Sequence, residues 1–272
     1  RARHTGLDGG RMKGSRIVGT ILLVSVLLIP AVAGAAGCDE SHGGLTRGPR
    51  NVKRLALVFT GDTFAESADS ILDTLAARRA PAAFYLTGNF LRTAGFAPLV
   101  RRMVAGGPRV GPHSDRHLLY ADWQQRDRTL LTEAAFRRDL EDNLRELERF
   151  GVRREAVRYW VPAYEWYNRE VAGWSAAMGV RVFTLTPGTR AAADYTGEAD
   201  ANFVASEAIV ASILDREQSD ADGLNGWVLL MHAGAGPGRR DKLADRLGAL
   251  LDEIARRGYT FARVDDMLEG CR

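Results

Sequence analysis

The sequence predicts an α/β protein built on a parallel sheet, and two observations support this. Short apolar runs alternate along the chain with segments of helical period, and most connections between them are short. Strand-length runs separated by helices favour parallel pairing, because a strand that returns in the same direction needs a crossover. The seven predicted strands are 54–60, 82–87, 108–112, 157–161, 181–185, 226–231 and 259–264.

The predicted helices carry apolar residues three or four positions apart, which places those residues on one face. Phe136, Leu140, Leu144 and Leu147 follow this spacing. The segments with this period are 66–79, 133–150, 168–179, 205–217 and 240–257.

Two connections are longer than the others and rich in polar and aromatic residues. They span 113–132 and 186–204, and each follows a predicted strand. Long loops at strand ends commonly carry function, so both are predicted to build a substrate cleft.

The distribution of charge argues against a nucleic-acid-binding protein. Of the 37 Lys and Arg residues, five lie in 1–37, and of the 34 acidic residues, one does. The remainder therefore has 32 basic and 33 acidic residues, without the basic excess that nucleic-acid binding requires.

Residues 1–37 are predicted to be a signal peptide of the bacterial lipoprotein type. A positive stretch begins at Met12, an apolar segment follows from Ile17, and small residues precede Cys38. This order predicts cleavage before Cys38 and its acylation, which would anchor the protein in a membrane on the exported side of the cell envelope. Met12 is then the expected true start. An uncleaved transmembrane anchor is the alternative, although Pro30 argues against it.

The rest of the chain is predicted to form a tether and one folded domain. Residues 38–52 are polar and rich in glycine, which favours a flexible tether. Residues 53–272 contain all the predicted strands and helices and form the domain. If Cys38 is lipidated, Cys271 has no partner for a disulfide.

The predicted domain contains three histidines, all near the ends of predicted strands. His113 and His117 follow strand 108–112, and His232 directly follows strand 226–231. Two imidazoles at positions i and i+4 can bind one metal ion, and the carboxyl ends of strands are where α/β folds hold their active sites. These residues predict a single active site.

Four stretches carry a family resemblance, in order along the chain. They are Val58-Phe59-Thr60-Gly61-Asp62, His113-Ser114-Asp115-Arg116-His117, Trp160-Val161-Pro162-Ala163-Tyr164 and Leu229-Leu230-Met231-His232. They resemble the T-F-D-D-G, H-[ST]-x-x-H and R-x-P-x-Y motifs and the histidine-ended, leucine-rich strand of the polysaccharide deacetylases, also called carbohydrate esterase family four. The resemblance covers about residues 53–267 and suggests a divergent subgroup.

The resemblance implies a distorted (β/α)7-type barrel with a metal-dependent catalytic site. It implies metal ligation by Asp62, His113 and His117, most readily of Zn²⁺, with Co²⁺ or Ni²⁺ also possible. Two imidazoles and one carboxylate leave positions on the ion open for water and a carbonyl oxygen. By the same resemblance, His232 is the general acid and the backbone N–H of Tyr164 binds the oxyanion.

The site departs from the family at two positions. Thr60 stands where the family has its general-base aspartate, and Val161 stands where it has the arginine that pairs with that base. Loss of both partners predicts a rewired site, because loss of one would leave the other charge unpaired. Glu165 is the preferred replacement base and Asp115 the alternative, unless no separate base is needed.

Other polar and aromatic residues are predicted to complete the cleft. Arg190 is expected to replace the missing positive charge, and Trp166 and Asn168 to bind substrate beside Tyr164. Aromatic rings can stack on sugars, although they can equally cap the hydrophobic rim of a barrel. The further aromatic candidates are Tyr120, Trp123 and Tyr167.

The resemblance therefore implies a hydrolase that removes N-acetyl groups from a polysaccharide, and the predicted signal peptide places that polysaccharide in the cell envelope. An O-acetyl esterase is an alternative that the same chemistry permits. A glycan-binding protein without activity is the alternative from a different class, because the usual base is missing.

Overall fold

The computed structural model describes residues 37–271, and all the elements below lie in this part of the chain. The predicted signal peptide, apart from Gly37, lies outside the described residues. The strands are β1 (Asp39–Ser41), β2 (Gly44–Arg47), β3 (Arg54–Gly61), β4 (Ala82–Leu86), β5 (Arg109–Pro112), β6 (Tyr159–Trp160), β7 (Arg181–Val182), β8 (Val228–His232) and β9 (Thr260–Ala262). The helices are α1 (Ala68–Arg78), α2 (Gly88–Arg92), α3 (Ala97–Ala105), α4 (Glu133–Glu148), α5 (Arg169–Ala177), α6 (Ser206–Ser219), α7 (Ala244–Arg256) and α8 (Val264–Leu268).

The sheet is parallel, as the alternation of strands and helices predicted. Its order is β5-β4-β3-β8, and β9 pairs with the beginning of β3. Strands β6 and β7 form a second parallel pair. Single hydrogen bonds link this pair to the main sheet on both sides, from Val161 N–H to Pro112 O and from Thr186 N–H to Val228 O. The strands thus follow one another around a distorted, incompletely paired barrel, and the α/β prediction is confirmed.

Successive side chains of a strand point to opposite faces of the sheet, so the strands contribute to two cores, one outside the barrel and one inside it. Leu57 and Phe59 of β3 pack outward in a cluster that includes residues of α1 and α7. Ala56 and Val58 face inward, in a second cluster. A third cluster packs α4 and α5 against β6 and β7. By the same alternation Thr60 and Asp62 continue the inward-facing row, which brings them to the mouth of the barrel.

The prediction of a flexible tether over 38–52 is wrong. β1 and β2 form an antiparallel hairpin, and Leu45 makes a bridge to Phe183 beyond β7. Arg47 is buried and donates to the carbonyl groups of Asn225 and Gly223. These contacts add the hairpin to the β6-β7 pair, so the segment is part of the domain.

The structure pairs the cysteine that the predicted lipoprotein signal would acylate. Cys38 forms a disulfide with Cys271, and the two Cα atoms are 5.7 Å apart. A sulfur atom in a disulfide cannot also carry a thioether-linked lipid, so the disulfide and the predicted acylation of Cys38 are alternatives. Among the described residues, no helix is both long and apolar enough to cross a membrane.

Candidate active site

The carboxyl ends of five strands surround one cavity of about 410 Å³. Asp62 follows β3, His113 follows β5, Glu165 follows β6, Tyr195 lies beyond β7 and His232 ends β8. The lining residues are Thr60, Gly61, Asp62, Thr63, Phe64, His113, His117, Trp123, Tyr164, Glu165, Tyr195, His232, Gly234 and Ala235. The three histidines that lie near strand ends, His113, His117 and His232, therefore meet in one place, as their positions in the sequence indicated.

His113 is a buried, neutral imidazole with one nitrogen committed to the backbone. Its Nδ1 donates to the carbonyl oxygen of Val161 at 2.9 Å, which leaves Nε2 as the unprotonated nitrogen. Burial, and then the neighbouring His117, lower the pKa of His113 to about 3. Its backbone N–H donates to Asn143, a residue of α4. Such an imidazole is ready to accept a metal ion at Nε2.

The loop that carries His117 is held by one buried carboxylate of α4. Asp139 accepts hydrogen bonds from Ser114 Oγ at 2.8 Å, Asp115 N at 3.1 Å and Tyr120 Oη at 2.6 Å. Ser114 and His117 have left-handed φ angles of 77° and 56°, conformations that side chains rarely adopt without such support. The resulting turn brings the rings of His113 and His117 to 5.2 Å between centroids.

Asp62 is an ionised carboxylate at the edge of the cavity. Its Oδ1 accepts from Thr87 at 2.8 Å and from Asn89 at 3.2 Å, and its Oδ2 accepts from Thr63 at 2.8 Å. Burial acts to raise the pKa of Asp62, but these hydrogen bonds and the positive charge available at His117 lower it overall. The charge of a metal ligand is therefore present at the position that the sequence predicted.

The side chains of Asp62, His113 and His117 are of the types that bind a divalent metal, although their ligand atoms do not converge on one point. Within residues 37–271, no three His, Cys, Asp or Glu side chains are close enough to hold an ion as they stand. The oxygens of Asp62 instead accept from hydroxyl and amide groups. Two imidazoles and a carboxylate around one cavity nevertheless match what Zn²⁺ prefers, and Nε2 of His113 makes no hydrogen bond within the described residues.

His232 lies on the opposite wall of the cavity and is oriented by Asp194. The Nδ1 of His232 is 2.6 Å from Asp194 Oδ1, and its backbone N–H donates to Asp194 Oδ2 at 2.9 Å. Burial acts to lower the pKa of His232, but the charge and hydrogen bond of Asp194 raise it overall. Asp194 thus keeps a proton on Nδ1 and directs Nε2 toward the cavity. Asp194 was not predicted, because one carboxylate in a long loop has no periodic signal.

Tyr164 and Glu165 form a strained turn between these two walls. Both have left-handed φ angles, 60° and 53°. The N–H of Tyr164 donates to no acceptor in the described part of the chain and is available to an oxyanion. Glu165 is partly buried and its carboxylate accepts no hydrogen bond from the described residues; burial raises its pKa to about 7, with His232 opposing and Asp194 adding to the shift. A carboxylate of that pKa suits a general base near neutral pH.

Thr60 and Asp115 are both poorly placed to serve as the base. Thr60 lines the cavity, but its buried Oγ1 has no hydrogen-bond partner in the described residues and no acidic proton to exchange. The carboxylate of Asp115 is buried in a salt bridge with Arg92, 2.6 Å from Nη1, and does not line the cavity. The alternative assignment of Asp115 as the base therefore loses its support, and Glu165 remains.

Three predicted substrate-binding residues lie outside the cavity. Arg190 is exposed and does not line it, so no arginine replaces the missing charge there. Asn168 is buried and accepts from Val171 N–H as the N-cap of α5. Trp166 lies behind Trp123, 5.3 Å away between ring centroids, and donates from Nε1 to the carbonyl oxygen of Asp122.

Exposed aromatic rings surround the cavity. Phe64, Trp123, Tyr164 and Tyr195 are between 42% and 54% exposed, and all four line it. Two of the aromatic candidates from the sequence are instead fully buried, since Tyr120 and Tyr167 belong to the core. Phe64 and Tyr195 were missed, because single aromatics in loops look alike in sequence whether they face solvent or the core.

The comparisons with known proteins agree with this architecture. The polysaccharide deacetylase family model matches residues 47–183. No curated protein sequence matches the chain. Among solved structures, a family 4 carbohydrate esterase pseudoenzyme from Bacillus anthracis has a TM-score of 0.65 at 18% identity, over 85% of this chain and 70% of its own.

Two further solved structures are similar over most of their length. A peptidoglycan N-acetylglucosamine deacetylase has a TM-score of 0.66 at 21% identity, over 82% of this chain and 91% of its own. A family 4 carbohydrate esterase from Bacillus subtilis has a TM-score of 0.66 at 18% identity, over 85% of this chain and 87% of its own. At these identities the structural similarity establishes the fold.

Proposed function

Because the chain belongs to the polysaccharide deacetylase family, we propose that it is a metal-dependent hydrolase that removes N-acetyl groups from a cell-envelope polysaccharide. One observation carries the proposal: a single cavity gathers Asp62, the two histidines of the 113–117 loop, His232 and an unpaired Glu165. A protein that only bound glycan would have no need of a partly buried histidine fixed by a carboxylate, or of a carboxyl group held without a partner.

Asp62, His113 and His117 would hold the metal ion, most readily Zn²⁺ and also Co²⁺ or Ni²⁺. An ion at this position would polarise the acyl carbonyl and lower the pKa of a water molecule. The low pKa of His113 keeps its imidazole neutral, and the low pKa of Asp62 keeps its carboxylate charged, so both groups are in the ligand form at neutral pH.

The protein's own groups would perform the proton transfers. Glu165 takes a proton from the attacking water, whose oxygen forms the new bond to the acyl carbon. The Tyr164 N–H donates to the oxygen that becomes negative in the tetrahedral intermediate. His232 then donates a proton to the amide nitrogen as the carbon–nitrogen bond breaks, which releases acetate and a free amine. Asp194 stabilises the charged form of His232 before that step.

The aromatic rim supports a carbohydrate as the substrate. Trp123 and Tyr164 lie on the side of His117, and Tyr195 lies 5.3 Å from the His232 ring between centroids. Exposed rings on both sides can stack on the apolar faces of sugar units that flank the reacting one. The disulfide supports an exported protein, because disulfides persist mainly in oxidising compartments.

A glycan-binding pseudoenzyme is the second candidate. It is favoured by Thr60 and Val161, which replace the base and its arginine partner, and a pseudoenzyme is among the proteins of similar fold. Glu165 is the feature that opposes it, since an unpaired carboxyl group beside His232 adds nothing to a site that only binds.

The experiment is acetate release after removal of metal with a chelator and return of Zn²⁺, Co²⁺ or Ni²⁺ one at a time. Chitin oligosaccharides test amide hydrolysis and acetylated xylan tests ester hydrolysis. The His113→Ala, His117→Ala double variant is the control, and it should bind no metal in stoichiometric amount while remaining folded. Metal-dependent release from the amide supports the proposal. Release from the ester alone would favour the esterase, and release from neither, nor from peptidoglycan, would favour the pseudoenzyme.

A further inference from the structure

A buried arginine contacts the loop that carries Asp194 and the cavity-lining residue Tyr195. This loop connects β7 to α6 and contains one short 3-10 turn, Ala191–Tyr195. Arg239 follows β8 by seven residues, and its side chain has no solvent exposure. Burial of a guanidinium group is costly unless its N–H groups are all engaged, so its partners indicate what it stabilises.

The partners of Arg239 lie along the second half of the loop, from Ala193 to the start of α6. Nη1 donates to the carbonyl oxygens of Thr196 at 3.0 Å and Ala193 at 3.4 Å. Nη2 donates to Val204 O at 2.9 Å and to Ser206 Oγ at 3.0 Å, at the start of α6. Nε donates to Asp241 O at 2.7 Å within its own segment.

Two of these contacts bracket the functional residues. Ala193 immediately precedes Asp194, and Thr196 immediately follows Tyr195. Both carbonyl groups converge on one Nη1, so the two residues between them are fixed at either end. Phe203, further along the loop, packs against the same guanidinium at 5.0 Å from its ring centroid. The backbone hydrogen bonds within this segment are short-range turns, such as Thr196 N–H to Ala193 O, and the planar group connects these turns to one another and to the start of α6.

We propose that Arg239 is a positioning residue: it fixes the Ala193–Thr196 turn so that Asp194 stays in contact with Nδ1 of His232. The proposal rests on the proposed function in one respect, the role of His232 as general acid. Replacing Arg239 should then lower activity because the 2.6 Å contact between Asp194 and His232 Nδ1 is lost. The loss of activity should not result from lower stability of the domain alone. Lysine cannot replace Arg239, because one ammonium group with three N–H donors cannot satisfy four carbonyl groups and a hydroxyl in that planar arrangement.

The test compares Arg239→Lys and Arg239→Met with Arg240→Met, since the Arg240 side chain is 90% exposed. The first readout is the proton on His232 Nδ1, observed by NMR in protein that circular dichroism shows to be folded. The Arg239 variants should lose this downfield resonance and Arg240→Met should keep it. If Arg239→Met fails to fold, Arg239→Lys carries the test. A resonance unchanged in a folded Arg239 variant would overturn the proposal, whatever the activity of the enzyme.

The second readout is kinetic and uses a double-mutant cycle. Either Arg239 variant should lower kcat on an N-acetyl amide by about 10- to 100-fold, the loss expected from a displaced reacting group, with little change in KM. An activated ester, whose leaving group needs no proton, should lose much less. In an Asp194→Asn background the Arg239 substitution should cost little more, because both act on one contact. Additive losses, or equal losses on amide and ester, would contradict the proposal. If the wild-type protein released no acetate at all, the proposed function would fail while the NMR result still decided the role of Arg239.

Discussion

At the scale of single residues, Glu165 connects the two halves of the proposed reaction. It follows Tyr164 in a turn of left-handed residues and lines the cavity with His232. Burial raises its pKa to about 7, so it gains a proton more readily than a surface carboxylate. We propose that it takes, from a different strand end, the general-base role that Thr60 cannot perform.

Replacing Glu165 by glutamine should lower kcat by about 10²- to 10⁴-fold and leave metal and substrate binding intact. The wild-type pH–rate profile should rise with pH as Glu165 loses its proton, and this acidic limb should disappear in the variant. Replacing His232 by alanine should remove the basic limb instead. The measurement is acetate release as a function of pH, and nearly full activity of Glu165→Gln would place the base elsewhere.

The same substitution should stabilise the metal-free protein at alkaline pH. Burial raises the pKa of Glu165 from its ordinary value of 4.5 to about 7, so the folded state holds the proton more tightly and loses stability as pH rises between these values. The loss is at most about 3 kcal/mol and is complete above about pH 7. Glu165→Gln should therefore raise Tm relative to wild type at about pH 8 and not at about pH 4. Equal shifts at both pH values would contradict the raised pKa.

Asp62, His113, His117 and His232 could be predicted to lie together because each follows a strand within a motif, and all four line one cavity. The sequence could not identify Asp194 or Asp139, whose roles depend on contacts between loops and helices distant in sequence. It also favoured Arg190, since the expected charge suggested an arginine nearby, whereas the cavity contains none among its lining residues.

At the scale of elements, the strands and longer helices were predictable and the hairpin was not. The alternation of apolar runs with helical segments, and the helical period itself, predict the bounds of β3 through β9 and of α4 to within a few residues. The β1–β2 hairpin has a glycine-rich, polar sequence that resembles a tether. Its attachment depends on the burial of Leu45 and on the multiple hydrogen bonds of Arg47, which composition does not reveal.

The aromatic rim gives a prediction about substrate length. Trp123→Ala should raise KM for a long N-acetylated oligosaccharide by about 10-fold, which corresponds to about 1.4 kcal/mol of lost stacking. It should change the rate on a small activated ester little. Leu130→Ala is the matched control, because Leu130 is exposed but does not line the cavity. Equal changes in KM for the oligosaccharide in the two variants would contradict the proposal that the aromatic rim binds sugar units.

At the scale of the whole molecule, the disulfide joins the hairpin end of the domain to the segment after α8. Cys38 and Cys271 are 233 residues apart, and Cys271 belongs to the inner core beside Met267 and Leu268. Closing so long a loop restricts the unfolded chain and stabilises the fold by about 2–5 kcal/mol.

The double variant Cys38→Ser, Cys271→Ser should therefore unfold at a lower denaturant concentration than the wild type. Its free energy of unfolding should be smaller by about 2–5 kcal/mol. Peptide mapping of the protein from its native host, without reduction, should recover the two cysteines in one cross-linked fragment. A diacylglycerol-modified Cys38 in that material would contradict the disulfide and restore the lipoprotein interpretation.

Acetate release from N-acetylated peptidoglycan by the zinc-loaded wild-type protein decides whether the cavity is a deacetylase active site. The His232→Ala and Glu165→Gln variants are measured beside it, with metal content determined for each. The account predicts continuous release by the wild type, with new free amino groups on the glycan in equal amount, and a loss of at least about 10²-fold in each variant at unchanged metal content. Release by both variants at the wild-type rate, or glycan binding by the wild type without release of acetate from peptidoglycan, chitin oligosaccharides or acetylated xylan, would contradict it.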